Sequence, residues 1–471
     1  MIEGLKPYAE YKESGLPWAS RVPAHWSLIP NRAVLRKRKV LVGENHKNYQ
    51  LLSLTKGGVI VRDISTGKGK FSSDMGTSQE VRKGDFVFCL FDVPETPRTV
   101  GLSMHDGMIT GAYTVFESRK LPMEGVRYLE RFYLAMDDQK LLSPLYSGLR
   151  HTIPPPRFLG TKTPLPPADE QAAIVRFLDH ANRKIDGFIR AKRKLIGLLN
   201  EQKQAIIHRA VTRGLHSVVP LKPSGIPWLG DIPQHWEVPR VKQCARKISK
   251  GTTPSTEGRA ILESGPVRFL KAENISAGRI TDKPLCFIDE ETNRVIRRSQ
   301  LAENDILFVI AGATLGKTAV VSGEVLPANT NQAVAFIRPN SRVVPSFLEL
   351  WLQSPRIKEL IWLNAVQSAQ PNLSMADLGN FVTPVPPRNE QQQILDFVKE
   401  ATKPMSDAIA RTEREIALMQ EYRTRLTADL VTGKLDVREA AAKLPDLPTD
   451  SVAEPLTDEA LDDTETEDAE A

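Results

Sequence analysis

The 471-residue chain is 41% hydrophobic and 25% charged, ordinary for a globular protein; it has no apolar run near the ~18 residues of a membrane span. Its opening, MIEGLKPYAEYKESGLPW, has no apolar signal-peptide core, and Cys89, Cys244 and Cys286 are too few and too scattered for a disulfide framework or a four-cysteine zinc site, which fits a reducing cytoplasm. The net charge of +6 conceals an asymmetry: residues 443–471 hold eleven acidic residues and one lysine, a net −10, leaving +16 on residues 1–442.

A basic body suits a polyanion partner. The acidic stretch lacks aromatic residues and has little apolar surface to offset chain entropy, so it is expected to be disordered.

In chain order, the first recognisable segment is SGLPWASRVPAHW (14–26). It returns as SGIPWLGDIPQHW (224–236), with seven of thirteen positions identical at an offset of 210. KGDFVF (83–88) pairs with ENDILF (303–308), and PLPPADEQAAIVRFL (164–178) with PVPPRNEQQQILDFV (384–398), both at an offset of 220. The chain therefore contains a long duplication, with about ten extra residues in the second copy, placed in the Gly/Thr/Ser/Pro stretch 251–265. Each copy reads as a globular part (14–163 and 224–383) followed by a helical part.

Short β-type runs punctuated by Gly, Asp, Asn and Pro fill the globular parts: 86–91, 306–310, 318–321 and 333–337. Helical patterns appear at 125–136 and 346–357, so a mixed α/β, or α+β, class is expected. In the helical parts, Asp169 and Asn389 read as N-caps, with Glu170 and Glu390 placed well against the helix dipole. A helix of about a dozen residues should follow each and break near 181–182 and near Pro404. Longer helices should then run over 183–212 and 404–431, with net charges of +7 (183–213) and −1. Ile185, Phe188, Leu195, Leu199 and Ile206 form an apolar seam on the first; Met405, Ile409, Ile416, Met419, Leu426 and Leu430 form one on the second. Such seams either pack on their own domains or pair as an antiparallel coiled coil.

Few motifs point to catalysis. AGATLGKT (311–318) fits a relaxed phosphate-loop pattern, which would put Lys317 on nucleotide phosphates and Thr318 on Mg²⁺. The following TAVVSGEV reads as a strand, however, so the helix N-terminus that completes an anion site is not expected. His25 and His235 stand at equivalent places, without a nucleophile or carboxylate at matching spacing, and read as structural. Basic and amide-bearing loops are the stronger signal. Arg36, Lys37, Lys68, Lys70 and Arg150 are candidates in the first copy, and Lys250, Thr252, Lys271, Asn274, Lys317, Gln370 and Asn372 in the second. Lys and Arg neutralise phosphates, while Arg, Gln and Asn read base edges.

The doubled opening motif, the Pro-Pro-x-x-Glu-Gln segments (166–178 and 386–398) and the repeated domain-then-helix layout resemble the specificity subunits of type I restriction–modification systems. The resemblance spans about residues 14–438. It implies a target recognition domain at 1–166, a conserved helical spacer at 167–218, a second recognition domain at 219–386, a second spacer at 387–438 and a disordered acidic tail at 439–471. Each recognition domain would read half of a split, asymmetric site in double-stranded DNA. The spacers would form an antiparallel coiled coil about 42 Å long, for 28 residues at about 1.5 Å each, or roughly 12 base pairs. The partners implied are two methyltransferase subunits and translocating endonuclease subunits, in the cytoplasm and with no membrane. S-adenosylmethionine, ATP and Mg²⁺ would belong to those partners, so no cofactor or metal is expected in this chain and the subunit would be non-catalytic. Two other readings stay open: a nucleotide-binding enzyme built on Lys317, and a non-specific nucleic-acid-binding coiled-coil scaffold.

Overall fold

A computed structural model describes residues 5–62, 75–216, 218–276, 278–365 and 372–445. Lys68, Lys70, Gln370 and the acidic stretch from residue 446 onward lie outside the described residues. The chain divides into two units. Of the described residues, the first takes 5–193 and 413–445, and the second takes 194–412.

Each unit is built on an antiparallel four-stranded sheet of the same strand order. In the first unit the order is Leu35–Arg38, Thr114–Ser118, Phe86–Phe88, Val100–Leu102. In the second it is Ala245–Lys250, Val334–Pro339, Ile306–Val309, Thr318–Val320. One inner strand of each sheet, Phe86–Phe88 and Ile306–Val309, is buried along its whole length, which is why these read as unbroken apolar runs. Phe86, Phe88, Phe116, Tyr133 and Phe158 pack edge-on or tilted, with ring centroids 4.9–6.2 Å apart, and form the centre of the first unit's core. The second unit adds a mixed three-stranded sheet in which Val267–Leu270 lies between Phe287–Ile288 and Ala328–Thr330.

The duplicated opening segment is a β-hairpin in the first unit, where Tyr11–Leu16 pairs with Ala19–Pro23. In the second unit Leu221–Pro223 pairs with Asp231–Pro233 across the same motif. The helix expected over 125–136 is Met123–Asp138. The one expected over 346–357 is instead two helices, Pro345–Leu352 and Pro355–Ala365. Pro355 has no N–H to continue the first and suits the first turn of the second.

The expected helix breaks are absent. Ala168–Arg213 and Arg388–Val431 are continuous helices of 46 and 44 residues. Ala181 and Asn182 contain no breaker; Asn costs only a few tenths of a kcal/mol in a helix. Pro404 sits inside the second helix. The Glu400 carbonyl it cannot satisfy lies on an exposed turn open to solvent, and the long flanking helix absorbs a cost of about 3 kcal/mol. Both helices also begin two residues earlier than expected. Pro167 and Pro387 supply the first carbonyls, accepting from Glu170 N and Gln171 N and from Glu390 N and Gln391 N, so Asp169 and Asn389 lie inside the first turn.

Within the first unit the two helices run antiparallel: Arg423 pairs with Asp186, and Lys192 Nζ lies 2.6 Å from Glu415. Within the second, Lys203 Nζ donates to Ser406 Oγ at 3.1 Å. Of the expected seam, Ile185, Leu426 and Leu430 are buried, while Phe188, Leu199, Ile206, Met405, Ile409, Ile416 and Met419 are half-buried. Leu195 is 40% exposed, and Ile189 and Ile207 are buried beside the expected positions. A helix with one neighbour covers only one side of its apolar stripe, so most seam residues keep contact with water.

The helix ends complete the cores. Leu426, Leu430 and Val431 join Trp26 and Tyr128 in the first unit, and Ile207, Ala210 and Val211 join Trp236 in the second. After Val431, Gly433 takes φ +78°, and a Cβ there would stand 2.3 Å from Pro23 Cδ. Gly214 ends the other helix at φ +72°, where a Cβ would stand 3.2 Å from Trp236, so both are glycine C-caps under the opening motif. The chain continues past Val437 as a short helix, Arg438–Ala442, whose Ala441 is buried.

Candidate nucleic-acid interface

The duplicated Glu-Gln pairs explain why the opening motif and the Pro-Pro segment recur together. Trp26 Nε1 donates to Glu170 Oε1 at 2.9 Å, His25 Nε2 lies 2.8 Å from Glu170 Oε2, and the Tyr8 hydroxyl also donates to Glu170. Trp236 Nε1 donates to Glu390 Oε1 at 3.2 Å, and His235 Nε2 lies 2.7 Å from Oε2. Gln171 Nε2 and Gln391 Nε2 close the turn by donating to the Pro166 and Pro386 carbonyls at 2.7 and 2.8 Å. Each histidine therefore does have a carboxylate, contrary to the reading of the sequence. The recurrence of Glu at the same 220-residue offset was the signal that could have found it. The arrangement is a fastening of the opening hairpin to the helix start, with no nucleophile at either copy. Burial and the Glu170 carboxylate push the Tyr8 phenol well above its ordinary range.

The phosphate-loop pattern is a hairpin turn. Ile306–Val309 and Thr318–Val320 pair antiparallel, with Phe308 opposite Thr318. Gly316 N donates to Val309 O, Val309 N to Lys317 O, and Leu315 N to Gly312 O, at 2.9–3.1 Å. The Leu315, Gly316 and Lys317 amides are spent inside the turn, and Gly312 and Gly316 are there for φ +89° and +85°. Thr318 is buried, and its hydroxyl donates to Glu349 Oε1 at 2.8 Å, so it is unavailable to a metal. Burial raises the Glu349 carboxyl above its ordinary value, opposed by the hydrogen bonds from Thr318 and Gln353. The nucleotide-binding reading is thereby removed.

What the turn does is project Lys317. Gly312, Ala313 and Lys317 are exposed. A backbone bridge joins Ala311 to Asn372, and Leu373 N donates to Ile310 O at 2.8 Å. The loop that carries the exposed Asn372 is thus tied to the start of the turn that carries Lys317, 55 positions away in sequence.

A second basic feature recurs in both copies at the 210-residue offset: Arg36-Lys37 and Arg246-Lys247 lie on the edge strand of each four-stranded sheet. Lys37 and Arg246 are exposed; Arg36 pairs with Glu117. Lys247 Nζ donates to the Arg298 carbonyl at 2.8 Å and lies 5.1 Å from the Phe336 ring. Lys242, Arg246 and Lys247, with Met375, Gly379 and Asn380, line an open groove of about 380 Å³. Lys250 is exposed at the end of the same strand. Charged edge strands also discourage edge-to-edge pairing.

The remaining candidates divide. Arg150 is exposed, with Nη2 2.9 Å from Asp92. Thr252 and Asn274 are buried and do not face a ligand: Thr252 Oγ1 accepts from Arg298 Nε at 3.0 Å, and Asn274 Nδ2 donates to the Thr281 and Pro284 carbonyls. Lys271 is half-buried, its amide donating to Asn274 Oδ1 at 2.8 Å. Polar residues beside Gly and Pro read alike in sequence whether they face solvent or tie a loop together. Among the described residues, no group of three His, Cys, Asp or Glu is placed to hold a metal, and no helix is long and apolar enough to cross a membrane.

Residues 233–417 match the family model of the type I restriction modification DNA specificity domain. The chain is 26% identical over 298 residues to the EcoBI type I restriction enzyme specificity subunit of Escherichia coli, a match covering 58% of this chain and 62% of that protein. It is 22% identical over 463 residues to the EcoKI specificity subunit of E. coli strain K12, covering 88% and 94%. A chain in a structure described as showing complex assembly and conformational transition of the type I R-M system shares the fold, with TM-score 0.57 and 15% identity over 87% of this chain and 98% of that one.

Proposed function

We propose that the chain is a specificity subunit of a type I restriction–modification system and that it reads a bipartite, asymmetric site in double-stranded DNA, one half per unit, without catalysing a reaction itself. The observation that carries this is the same four-stranded sheet, fastened by the same Glu–Trp–His contacts, occurring once in each unit. Two copies of one fold with unlike loops are suited to two half-sites of unlike sequence. In the second unit, Lys317 and Asn372 supply a phosphate-neutralising cation and an amide able to pair with an adenine edge. In the first, Arg36, Lys37 and Arg150 supply cations. The antiparallel helix pairing inside the first unit and the Lys203–Ser406 contact inside the second support a spacer role for the long helices. Two methyltransferase subunits and the translocating endonuclease subunits would dock on this scaffold in the cytoplasm, bringing S-adenosylmethionine, ATP and Mg²⁺.

Competition binding tests this. The full chain with its methyltransferase subunits is bound to a labelled duplex carrying the methylated site and challenged with unrelated duplex. Specific retention at a 10³-fold excess of competitor, about 4 kcal/mol of discrimination, is the expected outcome. Equal competition by any sequence would reduce the protein to a non-specific scaffold.

A further inference from the structure

The acidic segment 446–471 is not absorbed by DNA reading, and its charge has a counterpart in the unit that carries it. Residues 446–471 contain eleven acidic and no basic side chains. Residues 1–193 and 413–445, which form the first unit up to that point, contain 36 basic and 26 acidic residues, a net +10. The root of the segment is fixed to this unit. Val437 and Ala441 are buried in its core, and Arg176 donates to the Leu444 carbonyl. We propose that residues 446–471 occupy the basic face of the first unit as an internal competitor for DNA, displaced when a duplex binds. The proposal rests on the DNA-binding reading and adds regulation to it.

Three observations fit this occupant. Arg32, Lys37 and Lys39 are exposed and make no ion pair among the described residues, whereas their neighbours Arg36 and Arg38 are held by Glu117 and Asp85. The three cations are thus open to a phosphate or to a carboxylate from elsewhere. Residues 458–470 carry eight carboxylates, about one per 5 Å of extended chain at about 3.3 Å per residue, not far from one phosphate per 3.4 Å of rise on a DNA strand. Reach is sufficient: a 26-residue chain has a root-mean-square span of about 25–31 Å, against a radius of gyration of about 17 Å for a unit of this size. The segment has no aromatic residue, so its attraction to the surface is electrostatic and salt-sensitive.

A competitor on the same face lowers affinity for every duplex by a common factor. It also shallows the salt dependence, because the cations it holds have already shed their counterions. The test compares the full chain with a variant ending at Pro445 and with a full-length variant whose eleven Asp/Glu are replaced by Asn/Gln, all checked for equal melting. Dissociation constants for an unrelated duplex are measured from 50 to 500 mM salt. Expected is about tenfold tighter binding by both variants at 50 mM. The log–log salt slope should steepen by about 0.9 for each cation released, and the difference should fade by 500 mM. Equal affinities and slopes for all three proteins would overturn the proposal and leave the DNA reading intact. Tighter binding by truncation alone would overturn the electrostatic mechanism. No duplex binding by any of them at 50 mM would overturn the DNA reading and the competitor with it.

Discussion

Replacing Glu170 with Ala should destabilise the first unit more than Glu390→Ala destabilises the second, although the two residues are equivalent in the duplication. Glu170 accepts from three donors, two of which, the Trp26 indole and the Tyr8 hydroxyl, belong to residues 0% and 6% exposed. Each buried donor left without a partner costs about 1–3 kcal/mol, so the loss totals about 2–6 kcal/mol. His25, 41% exposed at its side chain, can turn to water and adds little. Glu390 has one buried donor, Trp236, and an exposed histidine, His235, which sets its loss at about 1–3 kcal/mol. Hydrogen exchange of peptides from each unit under increasing urea reads the two stabilities separately. Adding Tyr8→Phe to Glu170→Ala removes one orphaned donor and should restore about 1 kcal/mol or more. Equal losses in the two units, or no rescue by Tyr8→Phe, would refute the donor-count reasoning.

Other consequences are open to measurement. Arg338→Ala strands Asp305, which is fully buried and receives two guanidinium hydrogen bonds at 2.7–2.8 Å; a loss of about 3 kcal/mol in urea titration is expected. Leu426→Ala empties a buried site in the first unit's core and should cost about 2–4 kcal/mol, whereas Leu195→Ala, at 40% exposure, should cost less than about 1 kcal/mol by the same titration. Because burial raises the folded-state pKa of Glu349, its charged form opposes folding. Glu349→Gln should therefore stabilise the second unit at pH 7, and the gain should disappear as pH falls below about 4.5, the ordinary value of the free carboxyl; a gain that persists in acid contradicts this. Four residues inserted within 190–200 lengthen a continuous helix by about 6 Å, or roughly two base pairs, so the spacer tolerated by the methyltransferase complex should change while both half-sites stay as they were.

The duplication, the buried strands and the long helices were legible because they depend on local pattern. Phe86–Phe88 and Ile306–Val309 are apolar at every position because both faces of their sheets are covered, and the hairpin reading of 311–318 followed from β-branched residues after the turn. Helix continuity through Ala181 and Pro404 was not legible, since the energy that carries a helix past a proline comes from long flanking segments. The carboxylate partners of His25 and His235 lie 145 and 155 residues away, and only the matching offsets of two motifs hinted at them. At the candidate interface, exposure decided the outcome. Thr252 and Asn274 have the composition of contact residues but spend their polar atoms on Arg298 and on the Thr281 and Pro284 carbonyls. The turn carrying Lys317 and the loop carrying Asn372 are joined by the Ala311–Asn372 bridge, which no local pattern encodes.

Sequencing the methylated positions in DNA from cells making the complete complex, with the wild-type chain and with Lys317→Ala/Asn372→Ala, tests the central claim most directly. Two separated half-sites with a fixed spacer are predicted for the wild type, and relaxation of one half alone for the variant. Methylation without a bipartite motif, or equal relaxation of both halves, would contradict the assignment of one half-site to each unit.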